Sequence, residues 1–412
     1  MTVDRSASEA LPTPDPEAAA QSGRLVDALV DRFGAGTTIA FDRFMEAALY
    51  HPAFGYYSTR VDPFGERGDF VTAPEVTPLF GQTLARTAAA VQRQLGGGEI
   101  LELGAGSGAL AASMLAGLQQ LEALPSAYRI LELSAQRRAE QQTRLKALSP
   151  ELRERVSWLD RLPERPTRGV ILANEVLDAM PVRLFAIGAD NTVRERRVRL
   201  ARSDDGMGHL SWTTEPADVA LRERVEAIRA ALGQAWPPGY ASELNPALSA
   251  WIQSLAEVLE QGLVLLIDYG YPRWEYYHPQ RSQGTLMCHY RQRAHDDPLQ
   301  LVGLQDITAH VDFTAVAEAA EAAALAVIGF RTQGDFLLSA GITGLVEPTM
   351  AADSDVTRYR TAQALAMLTL PTHMGERFKV MALARGLEPE LPGLAPDEAA
   401  PGWRGRDLRG RL

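Results

Sequence analysis

Cysteine is almost missing from this chain: Cys288 is the one example in 412 residues. An intramolecular disulfide and a structural zinc site built on cysteines are therefore excluded, and the composition suits a reducing compartment. Lysine is nearly as scarce, with Lys146 and Lys379 alone, which counts against a Tyr-x-x-x-Lys catalytic pair. No stretch approaches about 18 uncharged apolar residues, so no transmembrane helix is expected. The opening segment "MTVDRSASEALPTPDPEAAA" has no apolar core of signal-peptide length and carries the acids that transit peptides avoid. A cytoplasmic protein is the expectation. Positive charge is in deficit too. A formal net charge of -11 argues against broad binding to nucleic-acid phosphates, which needs clustered Lys and Arg.

What the chain does have is alternation of apolar runs with amphipathic stretches. "EILELGAG", "YRILELS", "RVSWLD", "GVILANEV" and "GLVLLIDYG" read as short strands, and "LAASMLAGLQQL" and "AQRRAEQQTRLKAL" as helices between them. This pattern predicts βαβ units and a parallel sheet covered on both faces, an α/β fold. Six stretches follow from it. Residues 1–20 are rich in Pro, Ala and acids and are expected to be disordered. Residues 21–95 form a helical and loop segment. Residues 96–200 form the first half of the core, and 201–260 a mainly helical insertion. Residues 261–385 form the second half, with a long loop at 271–312, and 386–412 a loose tail. "VRLFAIGADNTVRERRVRL" reads as antiparallel strands around a turn at "GADN". The aromatic group from Phe54 to Phe70 reads as local packing.

One strand and turn, "ILELGAGSGAL", narrows the chemistry without closing it. Gly104-x-Gly106-x-x-Ala109 satisfies a dinucleotide fingerprint, and Glu102-x-Gly104-x-Gly106-x-Gly108 satisfies that of S-adenosylmethionine (SAM). A glycine turn at the carboxyl end of a strand lets backbone approach a ligand closely. For NAD(P) an acid is expected about 20 residues on; Glu132 comes 28 residues after Gly104. Glu102, Glu132, Glu175 and Asp268 stand at or near the ends of four apolar runs. Four carboxylates around one crevice suit a sulfonium and an ammonium better than a pyrophosphate, by Coulomb attraction. SAM is the favoured cofactor. NAD(P)-dependent oxidoreduction and a cofactor-binding assembly role without catalysis stand as alternatives.

"ALYHPAFGYYS", "GDFVTAPEVTPLFG", "LELGAGSG", "ANEVLDAMPV", "LLIDYG", "GTLMCHYRQRAHDDPL", "GLQDITAHVDF" and "GERFKVM" occur in this order. Together they resemble the MidA-like family of SAM-dependent methyltransferases, over roughly residues 25–385. Mitochondrial members of that family are complex I assembly factors. The resemblance implies a seven-stranded class I, Rossmann-like methyltransferase sheet with an N-terminal helical segment and insertions. It implies protein arginine N-methylation, a protein substrate with an accessible arginine, and a homodimer. By the same resemblance Gly68, Asp69, Thr72 and Pro74 belong to a segment covering the cofactor. Gly104, Ala105, Gly106 and Gly108 pass beneath its methionine part, and Glu102, Glu132, Leu133 and Asn174 complete its site. Asn174 and Glu175 face donor and acceptor, with Glu175 gripping a guanidinium and Asp178 second in line. Asp268 touches the acceptor or orients a loop, and His310 orients substrate. The His and Asp residues of 289–312 match no metal-ligand spacing, and no metal is expected.

Overall fold

The computed structural model describes residues 11–59, 71–352, 354–388, 390–394 and 407–412. The chain divides into two compact units, each assembled from three separated stretches. One comprises Val71–Asp178, Leu248–Pro272 and Val311–Leu412; the other comprises Met1–Phe70, Ala179–Ala247 and Arg273–His310.

The first of these is built on a sheet whose strands in chain order are β1 (Glu99–Leu103), β2 (Tyr128–Leu131), β3 (Val156–Leu159), β4 (Thr167–Asn174), β5 (Leu259–Tyr271), β6 (Ala326–Thr332) and β7 (Phe378–Arg385). Their spatial order is β6-β7-β5-β4-β1-β2-β3, and the two-residue Val311–Asp312 pairs with the end of β5. β1 to β5 run parallel, while β7 lies antiparallel to both β5 and β6. The strands are near-continuous apolar runs because helices cover both faces. Within β4, Val170 to Ala173 are all buried, and so are Leu263 to Asp268 in β5.

Four helices matter for the site: α1 (Ala73–Val76), α2 (Leu79–Leu95), α3 (Ala109–Gln120) and α4 (Ala135–Leu145). α2 and α3 pack in direct contact. A Cβ on Gly81 would fall 2.0 Å from Ser113 Oγ, and one on Gly117 2.9 Å from Ala85 Cβ. Phe80, Leu84, Met114 and Leu115 fill the layer between these helices and Ile100, Val170 and Leu265 of the sheet. Truncating one such leucine to alanine costs about 2–5 kcal/mol, because the close-packed surroundings relax only in part.

The other unit holds a five-stranded antiparallel sheet of Thr38–Ala40, Arg183–Ile187, Val193–Arg202, Gly208–Pro216 and Ala241–Leu244. A three-stranded sheet is formed by Met287–Tyr290, Arg293–His295 and Asp306–Thr308. Its core gathers Phe41, Phe44, Met45, Tyr56, Val198, Leu200 and Ile307. The hairpin expected at "GADN" is present, with Ile187 opposite Val193. The aromatic residues before 60 pack on one another: Tyr50 stacks on Tyr57 at 5.5 Å and His51 on Phe54 at 5.2 Å.

Four expectations are corrected. The stretch 271–312 is not one long loop: it holds the helix Arg273–Tyr276 and the three-stranded sheet, whose Met287–Tyr290 pairs with both other strands. The segment 201–260 is not mainly helical. Gly208–Pro216 forms a nine-residue strand and Ala241–Leu244 another, beside helices Val219–Leu232 and Leu248–Val258. Pairing from Arg194–Pro216 to Arg202–Gly208 decides the first strand, since partners and not local propensity govern such residues. Residues 16–20 are helical, in Pro16–Phe33; Asp15 caps its N-terminus by accepting from Ala18 N, and Pro16 fits the first turn. Nor is 386–412 loose where it is described. Leu391, Leu394 and Leu408 are buried, and Leu408 N donates to Phe330 O.

Candidate cofactor and active site

Register brings the strand ends to one level. Leu103 of β1 pairs with Leu131 of β2 and Ala173 of β4, and Asn174 pairs with Ile267 of β5. The next residues are therefore neighbours along one edge: Gly104, Glu132, Asn174 with Glu175, and Asp268. This is the carboxyl edge, where open α/β sheets bind ligands.

The turn after β1 needs its glycines. Gly104, Gly106 and Gly108 have φ of 63°, 53° and 83°, and a side chain in this region costs about 1–2 kcal/mol. Gly108 then opens α3 from a left-handed conformation. Ser107 lies inside the turn. Its Oγ donates to Glu75 Oε1, and Arg144 of α4 donates to Glu75 Oε2 at 3.2 Å. Glu75 therefore ties α1, which contains Pro74 and follows the buried Thr72, to the glycine turn.

Glu102 does not line the crevice as an open charge. It is 2% exposed, and Tyr128 donates its hydroxyl to Oε2 at 2.7 Å. Burial pushes its carboxyl up to about 7; the Tyr128 hydrogen bond opposes this and the Glu132 charge adds to it. Glu132, at the end of β2, receives one donor on each oxygen: Ser134 N on Oε1 at 2.9 Å and Gln141 Nε2 on Oε2 at 3.0 Å. Burial raises its carboxyl above the usual range while these two donors hold it down. The neighbouring Leu133 is 76% exposed, an apolar side chain standing in the open beside the acid. Ala105 is buried within the turn.

After β4 the backbone departs from regular geometry. Glu175 takes φ of 54°, uncommon for a non-glycine residue, and its N–H donates to Ile267 O at 2.8 Å. Observed strain of this kind concentrates at functional sites. Asn174 Nδ2 donates to Glu175 Oε1 at 3.1 Å, while Asn174 Oδ1 is buried with no hydrogen-bond partner among the described residues. Asp268 is fully buried beneath this turn. Its Oδ2 accepts from Leu177 N at 3.0 Å and Asp178 N at 3.2 Å, and its Oδ1 accepts from Tyr269 N at 2.9 Å. Burial, then the charges of Asp178 and Glu175, hold its carboxyl well above the usual range. Of the two roles expected for Asp268, these contacts match the one that orients a loop.

Two expected residues, Gly68 and Asp69, lie outside the described residues. His310 belongs to the other unit, where its N–H donates to Thr285 Oγ1 at 2.9 Å. Among the described residues no group of three or more His, Cys, Asp or Glu is placed to hold a metal ion, and no helix is long and apolar enough to cross a membrane. Ser107, Arg144, Tyr128 and Gln141 carry no signal in the sequence, being ordinary residue types whose partners lie 9 to 69 positions away.

The groups along this edge fit SAM. An orphaned buried carbonyl oxygen at Asn174 suits an ammonium, a two-oxygen acceptor at Glu132 suits a ribose diol, and the exposed Leu133 suits an aromatic face. The family model described as "Putative S-adenosyl-L-methionine-dependent methyltransferase" matches residues 79–331. A crystal structure of a Burkholderia thailandensis protein bound to S-adenosyl-homocysteine is 42% identical, with a TM-score of 0.87, covering 98% of this chain and 100% of that one. The Drosophila melanogaster "Protein arginine methyltransferase NDUFAF7 homolog, mitochondrial" is 28% identical over 91% of this chain and 89% of its own length. Its namesake from Mus musculus is 28% identical over 84% of this chain and 80% of its own length. The chain belongs to this family of S-adenosyl-L-methionine-dependent methyltransferases, and its cofactor is the methyl donor, not a dinucleotide.

Proposed function

We propose that the protein methylates arginine side chains of a protein substrate. The carrying observation is the gathering of Glu175, Asp178 and Asp268 at the ends of β4 and β5, where Asp178 N donates to Asp268 Oδ2 and Glu175 N donates to Ile267 O, next to Asp268. A guanidinium stays protonated to very high pH and presents a planar fork that carboxylates bind bidentately. The names of the Drosophila and mouse relatives support the same acceptor.

In this reading Glu132 holds the cofactor's ribose hydroxyls, Asn174 Oδ1 accepts from its ammonium, and the glycine turn runs beneath its methionine part. Thr72 and Pro74 lie in the covering segment. Bound there, SAM supplies an electrophilic methyl on a sulfonium. Glu175 grips the guanidinium and draws its positive charge away from the attacking nitrogen, leaving a lone pair free to point at the methyl. Asp268 holds the 175–178 turn through the backbone N–H groups of Leu177 and Asp178, so Glu175 stays in line; orientation supplies much of the acceleration. As nitrogen gains the methyl it loses a proton, which Glu175 or Asp178 takes. The cytoplasmic location proposed here rests on the sequence alone, whereas the named relatives are mitochondrial.

The test is transfer of labelled methyl from SAM into an extract of cells lacking this protein, followed by hydrolysis and amino-acid analysis. Label in methylarginine supports the reading, and label confined to another amino acid overturns the arginine acceptor. Tight binding of S-adenosyl-homocysteine with no transfer to any protein would favour the assembly role instead.

A further inference from the structure

Gln141 lies in α4, outside the glycine turn, the strand ends and every motif described above, and it is completely buried. Its amide makes three hydrogen bonds to three different elements. Trp158 Nε1 of β3 donates to Oε1 at 2.8 Å. Nε2 donates to the carbonyl of Gly106 in the glycine turn at 2.9 Å and to Glu132 Oε2 at 3.0 Å. An indole N–H only donates, and a backbone carbonyl only accepts, so one orientation of the amide satisfies all of them. α4 is seated against the turn at the same point: a Cβ on Gly108 would lie 3.4 Å from Gln141 Cα and Cγ.

The consequence falls on Glu132. Each carboxylate oxygen offers about two lone-pair directions. Among the hydrogen bonds of the described residues, Ser134 N takes one direction on Oε1 and Gln141 one on Oε2, which leaves one on each oxygen. Two free acceptor directions side by side match a vicinal diol. The same planar NH2 group spans Gly106 and Glu132, so it sets the distance between the glycine turn and the acid. We propose that Gln141, oriented by Trp158, is a positioning residue for nucleoside recognition: it holds Glu132 as a two-oxygen acceptor for the ribose diol, in register with the glycine turn. This rests on the reading of Glu132 as the ribose acceptor.

The charged groups around Glu132 are Arg137 on α4, which lowers its carboxyl and is itself paired with Glu140 at 2.6 Å, and Glu102 on β1, whose own carboxyl it raises. Arg138 Nε donates to the backbone carbonyl of Glu132. None of these replaces the Gln141 donor on Oε2. Its loss therefore moves the carboxyl further up.

The test is calorimetric titration of the full chain with S-adenosyl-homocysteine and with its analogue lacking the ribose 2′-hydroxyl, from pH 5 to 8. Wild-type protein should prefer the diol by about tenfold or more, the worth of one charge-assisted hydrogen bond. Gln141→Leu should bind the diol ligand about tenfold more weakly, with the preference reduced to within about twofold. The pH below which affinity falls should also rise, because the carboxylate has lost a donor to its charged form. Trp158→Phe keeps an aromatic ring but no N–H, and should move the same two readouts part of the way. A folded Gln141→Leu with wild-type preference and wild-type pH dependence overturns the proposal. If that variant does not fold, an unchanged Trp158→Phe overturns it. Wild-type protein that binds the ligand with no diol preference, or Glu132→Ala that binds like wild type, overturns the reading of Glu132 and the proposal together.

Discussion

Replacing Glu102 with glutamine should stabilise the protein, and only on the alkaline side. The residue is 2% exposed, and among the described residues its hydrogen-bond donor is the Tyr128 hydroxyl at 2.7 Å and no cation offsets its charge. Burial lifts its carboxyl from an ordinary 4.5 up to about 7. Between those two pH values the folded chain holds a proton that the unfolded chain has released. Stability therefore declines as pH rises through this window and levels off above it. At 1.36 kcal/mol per pH unit, the interval from 4.5 to about 7 is worth about 3 kcal/mol. Glutamine keeps an acceptor for Tyr128 and is neutral at every pH. Urea denaturation of cofactor-free wild type and Glu102→Gln should thus give nearly equal midpoints at pH 4, below the window. By pH 8 the variant should be ahead by up to about 3 kcal/mol. A difference that does not change with pH, or a variant less stable at pH 8, would refute the argument. The second result would mean that a cation partners the ionised carboxylate.

Three further outcomes are expected. Glu132→Ala should stay folded by circular dichroism and bind S-adenosyl-homocysteine at least about tenfold more weakly, since two hydrogen bonds to a charged acceptor of about 1.5–3 kcal/mol each are lost; unchanged affinity would remove the ribose role. Glu175→Gln should keep cofactor affinity and lose about ten- to a hundredfold in methyl transfer, the worth of one charge-assisted contact. Full activity in that variant would eliminate the guanidinium clamp. Asp268→Asn sets an NH2 group against one of the three backbone donors that the carboxylate now accepts, a loss of about 1–3 kcal/mol. Amide exchange at Leu177, Asp178 or Tyr269 should quicken, and wild-type protection at all three would show that Asp268 does not hold the turn.

The central sheet was legible because its strands are unusually one-sided in composition. "GVILAN" and "GLVLLID" are runs that only a sheet covered on both faces can hold. The glycines at 104, 106 and 108 were legible for a similar reason: positive φ at alternate positions leaves little choice of residue. The strand-end acids could be counted along the chain. The strand Gly208–Pro216 was not legible, because "GHLSWTTEP" becomes a strand through the residues opposite it in Val193–Arg202. Helical spacing beyond it drew the reading the wrong way. The start of the first helix was present in Asp15-Pro16, a cap followed by a first-turn proline, but a composition rich in Pro, Ala and acids hid it.

By itself, then, the sequence determined the α/β class, the glycine turn, the acids that end β2, β4 and β5, and the methyl donor as the ligand they favour. Local patterns carry these, because covalent neighbours and side-chain periodicity are enough to specify them. The tertiary structure alone decided what each acid does. Glu102 became a buried partner of Tyr128, Asp268 a holder of three backbone amides, and Glu132 an acceptor shared with Gln141. Those roles depend on donors up to 91 residues away. A hydrogen bond acts over about 3 Å of space whatever its separation along the chain, so only the register of the folded sheet brings such partners together.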